Sequence, residues 1–124
     1  MRQIHAAVES HFRYSMESAS ELYLKGIQFF QKGEADQALL KLELAVEKDP
    51  QFADAYEVMG VILGRQKKYE QAIDLMDQLL IADPKSILAH TNKSLYYMNL
   101  GKIEEAEEEK GLATLAGFSR FDNE

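Results

Sequence analysis

Residues 53–86 read ADAYEVMGVILGRQKKYEQAIDLMDQLLIADPKS, and this stretch decides the fold. The pair Asp83-Pro84 stands near its end, and the same pair occurs once before, as Asp49-Pro50. A pattern that recurs at a period of about 20–50 residues is typical of solenoids and other repeat arrays. The spacing of the two pairs divides most of the chain into three segments of equal length, 19–52, 53–86 and 87–120. We therefore expect three copies of one structural unit in succession.

Equivalent positions of the three segments carry residues of similar size and polarity. Gly26 is matched by Gly60 and, in the third segment, by Ser94. Five further sets follow the same period: Leu22, Tyr56 and His90; Phe29, Leu63 and Tyr97; Ala38, Ala72 and Ala106; Leu42 and Met76; Ala45, Leu79 and Ala113. This shared order of small and large residues indicates that the segments pack in the same way.

Each segment is predicted to form two helices, and the first pair runs from Ala19 to Gln31 and from Ala35 to Lys48. Apolar residues in both stretches recur three and four positions apart, which places them along one face of an α-helix. The small residues Gly26 and Ala38 would let the two helices approach closely, whereas large side chains there would hold the axes apart.

The connections carry turn-forming residues. Gly33 and Gly101 stand between the two helices of the first and third segments, where glycine suits a left-handed backbone, and Lys67 takes this place in the second. Pro50 and Pro84 are expected to end one helical pair and to begin the next. The aspartate before each proline is expected to cap the following helix.

This order of residues resembles the tetratricopeptide repeat, in which a large residue, Gly, an aromatic, Ala, a large apolar residue, Ala and Pro follow one another at a fixed period. The second segment carries the resemblance at Tyr56, Met59, Gly60, Leu63, Tyr69, Ala72, Met76, Leu79, Ala82 and Pro84. The third segment departs from the pattern at His90, Ser94 and Lys110, and Phe118 replaces its final Pro. The resemblance covers residues 19 to about 117. It implies an all-α fold, a right-handed α-α superhelix of three helix-turn-helix repeats.

Residues 1–18 precede the repeats and are predicted to form one further helix. Ile4, Val8 and Phe12 share a helical face, and Ser18 or Ser20 could cap the helix that follows. The first helix could pack on the first repeat, fold back into the groove of the solenoid, or dock on a neighbouring chain. We expect it to pack on the first repeat.

The last predicted helix runs from Ile103 to Ala116 and begins with an acidic stretch, Glu104, Glu105, Glu107, Glu108 and Glu109. Terminal repeats need a polar outer face, so we expect a solvated cap in preference to an acidic docking patch or a cation site. The tail, residues 118–124, contains Phe118 and Phe121. These rings either pack on the last helix or form a small linear motif, and packing is the expectation.

Composition and motifs exclude several classes of function. The chain lacks cysteine, which rules out disulfides and thiolate metal sites. Its net charge of -7 opposes nucleic-acid binding, because Arg65, Lys67 and Lys68 form the only tight basic group. The sequence shows neither a signal peptide nor a run of about 18 apolar residues. We therefore expect a cytoplasmic protein that does not contact a membrane.

Patterns of catalytic and metal-binding residues are missing as well. His5, His11 and His90 form no pair at a spacing of four, and no serine-nucleophile or Gly-rich phosphate-binding motif occurs. His90 falls at a core position of the repeat and is expected to pack as a buried histidine. We expect a protein that is not an enzyme and that uses no metal and no cofactor.

The resemblance also implies a groove for a partner, lined by the first helix of each repeat. The residues expected there are Tyr23, Ile27, Phe30, Val58, Val61, Arg65, Asn92, Leu95, Met98 and Asn99. Most are apolar, and an exposed apolar patch normally marks an interaction site. Relatives that bind chaperone tails use a carboxylate clamp of Lys, Asn, Asn, Lys and Arg, but those places hold Tyr23, Ile27, Val58, Leu88 and Asn92. We therefore do not expect recognition of a free carboxyl terminus.

We expect a protein–protein interaction module or adaptor that binds an apolar helix or extended segment of a partner in this groove. One alternative is a self-assembling scaffold, a homo-oligomer in which the first helix of one chain fills the groove of the next. Another is a secretion-type chaperone that keeps an apolar client soluble. A groove filled by the chain's own first helix would bind no partner.

Overall fold

A computed structural model describes the backbone of residues 16–122 and the side chains of residues 16–118. The regular secondary structure of this part of the chain is all helical. The helices are α1 (Ala19–Gln31), α2 (Ala35–Lys48), α3 (Ala53–Arg65), α4 (Tyr69–Ala82), α5 (Ile87–Asn99) and α6 (Ile103–Asp122). The chain divides into two compact units, residues 1–50 and 51–124, and each is described in turn.

The first unit contains the hairpin of α1 and α2, and both helices have the predicted limits. Of the two predicted caps, Ser18 is the N-cap residue of α1 and accepts a hydrogen bond from the backbone N–H of Glu21 at 3.0 Å. Leu22, Leu42 and Ala45 are fully buried in this hairpin. The periodic apolar residues of both helices therefore form its core.

The second unit contains two hairpins, α3–α4 and α5–α6, and α5 packs on α4 as well as on α6. Its buried apolar residues are Ala55, Tyr56, Met59, Ile62, Ala72, Ile73, Met76, Leu79, Ala89, Tyr96 and Ala106. These residues come from all four helices, so the two hairpins share one core.

The glycine positions bring the helices of a hairpin close together, as predicted. A Cβ atom on Gly26 would lie 2.8 Å from Cγ of Leu42, closer than real Cβ atoms approach. A Cβ atom on Gly60 would overlap the end of the Met76 side chain. A larger residue at this position would therefore have to displace Leu42 in the first hairpin or the flexible end of Met76 in the second.

In the third hairpin, polar groups form the helix contact that involves a glycine in the first two hairpins. Ser94 stands at the position of the two glycines, and its Oγ donates a hydrogen bond to the backbone carbonyl of Ala106 at 2.8 Å. Lys110 stands where the earlier hairpins have a buried Leu or Met, and it is exposed. Because no large side chain fills this place, there is room for the serine hydroxyl.

All three turns within the hairpins use the left-handed backbone conformation. The φ angle is 79° at Gly33, 76° at Gly101 and 62° at Lys67. The prediction for the two glycines is confirmed, and the second hairpin makes the same turn with a side chain in place. A left-handed conformation costs a residue with a Cβ atom about 1–2 kcal/mol, so Lys67 is a strained position.

The aspartates before the two prolines do not cap the helices that follow, and that prediction was wrong. Asp49 and Asp83 are the C-cap residues of α2 and α4. The N-cap residue of α3 is Phe52, and that of α5 is Ser86, whose Oγ accepts a hydrogen bond from the N–H of Ala89 at 3.1 Å. Each aspartate stands too far before the helix, because a capping side chain reaches only about the second or third N–H.

His90 belongs to a polar cluster and does not pack as an apolar core residue. Its Nδ1 lies 2.7 Å from Oε2 of Glu109. Oε1 of Glu109 lies 2.9 Å from Nζ of Lys93, and that Nζ lies 2.7 Å from Oδ1 of Asp77. Glu109 is only 8% exposed, so the prediction that it forms part of a solvated face was wrong. It lies one turn after the buried Ala106, on the inner side of α6.

The carboxyl-terminal helix α6 is longer than predicted, because it continues past Ala116 and Gly117 to Asp122. Phe118 therefore lies on this helix, where it is 64% exposed and not packed as expected. The side chain of Phe121 lies outside the described residues, and so do Ile4, Val8 and Phe12. None of the described helices has the length and hydropathy needed to cross a bilayer.

Candidate partner-binding site

Three of the ten predicted groove residues lie in the first unit. Tyr23, Ile27 and Phe30 are on α1, and all three are half-buried. They follow one another at spacings of four and three residues, which places them along one face of the helix.

The other seven lie on α3 and α5 of the second unit, and the structure brings five of them together. Val61, Arg65, Asn92, Leu95 and Asn99 line one cleft of about 290 Å³, which Gly64, Tyr69 and Tyr96 complete. We call it the groove cleft. Val58 is half-buried on α3 and is not among its lining residues, and Met98 lines a neighbouring cleft.

Two carboxamides provide hydrogen-bond acceptors in the groove cleft. Nδ2 of Asn99 donates to the backbone carbonyl of Leu95 at 2.9 Å, and Nδ2 of Asn92 lies 3.7 Å from Sδ of Met76. Their Oδ1 atoms have no hydrogen-bond donor within the described part of the chain. A carboxamide oxygen accepts backbone N–H groups, so both side chains are suited to hold a bound main chain.

Tyr96 forms a wall of the groove cleft that the sequence pattern did not reveal. It is buried, whereas the neighbouring Tyr97 at the predicted core position is half-buried. Its hydroxyl donates to the backbone carbonyl of Gly60 at 3.3 Å, and its ring centroid lies 6.2 Å from that of Tyr69. Burial raises the pKa of Tyr96, which keeps the hydroxyl protonated as a donor.

Gly64 explains why Tyr96 fits. A Cβ atom on Gly64 would lie 2.6 Å from the ring of Tyr96, so only glycine leaves room for the tyrosine. The signal in the sequence was a glycine inside the helix 53–65 that no turn requires. Such a glycine indicates close approach of another element, but it does not identify the residue that approaches.

A second cleft, of about 280 Å³, lies between α5 and α6. Its lining residues are Thr91, Ser94, Leu95, Met98, Glu107, Lys110 and Ala113. Leu95 lines both clefts and is 56% exposed, so it stands as a ridge between them. We call this second cleft the terminal cleft.

The glutamates of α6 do not converge on a cation. Glu104, Glu105, Glu107 and Glu108 are exposed, and Glu109 pairs with Lys93 and His90. Within the residues that the structure describes, no group of three or more His, Asp or Glu side chains is placed to hold a metal ion.

Helical hairpins that repeat at one constant spacing along the sequence define the chain as an α-helical repeat protein. A family model described as tetratricopeptide repeat matches residues 23–87, which is more than half of the chain. The chain therefore belongs to the tetratricopeptide repeat family, as the resemblance of its residues predicted.

Comparison with known proteins agrees with this assignment. A peroxisomal targeting signal receptor from Eremothecium gossypii is 32% identical over 65 residues, which are 52% of this chain and 11% of that protein. The crystal structure of MamA superposes with a TM-score of 0.81 at 24% identity, covering 85% of this chain and 61% of MamA. The second tetratricopeptide domain of Spaghetti (RPAP3), bound to the HSP90 peptide SRMEEVD, gives 0.74 at 20% identity over 87% and 98%. These matches confirm the predicted all-α solenoid fold, and the chain spans only a small part of the curated relative.

Proposed function

We propose that this chain is a non-catalytic interaction module that binds an apolar segment of another protein. The observation that carries the proposal is the groove cleft, which combines an apolar wall with two carboxamide oxygens that have no donor in the described residues. Repeats of this family are generally interaction modules without enzymatic activity. Within the first unit, Tyr23, Ile27 and Phe30 are proposed as residues that contact a partner.

The apolar character of the partner follows from the exposed ridge at Leu95. Val61 and Leu95 face the cleft together with the rings of Tyr69 and Tyr96. Removing an apolar side chain from water contributes about 25 cal/mol per Å² of buried area. A partner side chain such as Leu, Ile or Phe would therefore gain most of its binding free energy at this wall.

The carboxamides favour a partner that presents its backbone. Asn92 and Asn99 are seven residues apart on α5, so they lie two helical turns apart on one face. Their oxygens can accept from two N–H groups of an extended segment, whereas a helix uses its own N–H groups internally. An extended segment thus fits this cleft better than a helix does.

A free acidic carboxyl terminus is not the proposed ligand. The second tetratricopeptide domain of Spaghetti (RPAP3) is bound to the HSP90 peptide SRMEEVD. In this chain, apolar residues stand where the carboxylate clamp places most of its polar and basic side chains, and one of them, Leu88, is exposed. We propose an internal apolar segment instead.

Selection from a display library of 12-residue peptides tests the proposal. We expect the selected peptides to be rich in large apolar residues and to lose at least tenfold in affinity for Leu95→Glu. Ile81→Glu is the matched control, because Ile81 is 68% exposed on α4 and lines neither cleft. Peptides that bind Leu95→Glu as tightly as the unchanged chain, or that require a free terminal carboxylate, would contradict the proposal.

A further inference from the structure

The terminal cleft has a counterpart one repeat earlier. Each of its seven lining residues has an equivalent at the same position of the preceding segment. These equivalents are Glu57, Gly60, Val61, Gly64, Ile73, Met76 and Leu79, all of them on α3 and α4. The terminal cleft and this earlier set of residues therefore occupy the same face of two successive hairpins.

On the earlier hairpin this face is filled by a helix. The hydroxyl of Tyr96, on α5, donates to the carbonyl of Gly60, and the ring of Tyr96 lies against Gly64. Asn92, one turn earlier on α5, contacts Sδ of Met76. The face thus binds one helix, α5. Asn92 contacts Met76, and Tyr96, four residues later, contacts Gly60 and Gly64.

The later face uses the equivalent helix positions but has different chemistry. Lys110 replaces Met76 and Glu107 replaces Ile73, so two exposed side chains of opposite charge line this face. Ser94 and Met98 replace Gly60 and Gly64, which leaves less room for a large ring. Leu95, Met98 and Ala113 keep an apolar surface around these positions.

These differences specify the helix that fits. The residue that approaches Lys110, in the place that Asn92 takes one repeat earlier, is acidic, because it pairs with the ammonium group. The residue four positions later, in the place of Tyr96, is apolar and smaller than tyrosine, because Ser94 and Met98 reduce the space. Both side chains lie on one face of an α-helix.

We infer that the terminal cleft is a docking site for one helix of another polypeptide, with an acidic residue at position i and a medium-sized apolar residue at i+4. The site is separate from the groove cleft, since Glu107, Lys110 and Ala113 line only the terminal cleft. It also takes a helix, whereas the groove cleft takes an extended segment. The two sites can therefore hold different segments on either side of Leu95.

A synthetic helix made from the chain's own sequence provides the probe. The peptide has the sequence of residues 86–99, SILAHTNKSLYYMN, with Asn92→Glu and Tyr96→Leu, and carries a fluorescent label. Its affinity for the full chain is measured by fluorescence anisotropy. We expect saturable binding that weakens about tenfold or more for Lys110→Glu, because two like charges then meet at the interface.

Charge exchange makes the test specific to the proposed contact. A second peptide with Asn92→Lys in place of Asn92→Glu should bind the Lys110→Glu protein better than the unchanged protein. Lys32→Glu changes the net charge equally on an exposed residue of the other unit and should leave both affinities unchanged. Thermal melting shows that each variant is folded.

Absence of saturable binding at millimolar peptide, or binding that Lys110→Glu does not weaken, would overturn the proposal. A loss of binding in Asn99→Ala with no loss in Lys110→Glu would place the peptide in the groove cleft, and this too would overturn it.

Discussion

Nδ1 of His90 lies 2.7 Å from Oε2 of Glu109, and both side chains are largely buried between α5 and α6. Glu109 also pairs with Lys93, which reaches Asp77 on α4. Four ionisable side chains from three helices thus form one cluster in the second unit, in which Asp77 is the exposed member. Most of the testable properties of this unit depend on it or on the close helix contacts around it.

The cluster predicts a loss of stability in acid. Burial tends to raise the pKa of Glu109, but the hydrogen bonds from Lys93 and His90 outweigh it, and the pKa lies below the ordinary 4.5. A carboxylate with a lowered pKa stabilises the fold above its unfolded pKa, and this contribution is lost as the pH falls through the folded pKa. Urea unfolding from pH 7 down to pH 2 should show this loss. Glu109→Gln should reduce the slope of the unfolding free energy against pH below pH 4.5. An unchanged slope would contradict the pairing.

Lys93 predicts the opposite behaviour in alkali. Burial tends to lower its pKa, but hydrogen bonds to Asp77 and Glu109 raise it above the ordinary 10.5. Its contribution to stability is complete below pH 10.5 and is lost as the pH rises through the folded value. Lys93→Met should remove this alkaline loss, and unfolding followed between pH 9 and 12 measures it. A variant as sensitive to alkali as the unchanged protein would argue against the role of Lys93.

Two glycines in helices should respond in opposite directions to the same substitution. Gly64→Ala places a methyl group against the buried ring of Tyr96 and should cost about 1–3 kcal/mol of unfolding free energy. Gly111→Ala adds a methyl group that meets nothing within 4 Å inside α6. It should stabilise the protein by about 0.5–1 kcal/mol, because alanine favours the helix. Equal effects in denaturant unfolding would show that the Tyr96 contact is not tight.

A substitution at the left-handed turn residue Lys67 should increase the stability of the fold. Lys67→Gly should raise the unfolding free energy by about 1 kcal/mol, since glycine adopts a φ of 62° without strain. Gly33→Ala is the converse, because φ is 79° there, and it should destabilise by a similar amount. Thermal unfolding measures both, and a loss of stability in Lys67→Gly would contradict the conformation described.

The carboxamides of the groove cleft should affect binding without affecting stability. Asn92→Ala and Asn99→Ala should each weaken a selected peptide about 3- to 10-fold, the value of one hydrogen bond in water. Both side chains are at most half-buried, so the melting temperature should change little. Titration calorimetry with an N-methylated peptide, which lacks the corresponding N–H, should show no further loss in the variant.

The sequence alone was sufficient to predict the features that repeat along the chain. The period of the three segments, the limits of α1 and α2 and the turns at Gly33 and Gly101 all follow from local patterns. Helix periodicity and turn chemistry act within a few residues, so a single segment reveals them.

Features that depend on particular side-chain contacts between helices were missed. Whether Tyr96 or Tyr97 is buried depends on the rotation of α5 about its axis, and the space beside Gly64 on another helix determines that rotation. Glu109 looked like one of several solvated glutamates, because nothing near it in sequence shows that Lys93 and His90 face it. The groove cleft was found in part, since the family pattern gives its helix positions but not its aromatic wall.

The position of Lys93 has a consequence for how the second unit unfolds. Its ammonium group is held from one side by α4 and from the other by α6. If α6 separated from the rest, the Lys93–Glu109 ion pair, the His90–Glu109 contact and the Ser94–Ala106 hydrogen bond would all be lost together. The polar residues that interrupt the repeat pattern therefore favour cooperative, all-or-none melting over stepwise fraying from the carboxyl-terminal end. In hydrogen exchange, the amides of α4, α5 and the first turns of α6 would then report a single opening free energy.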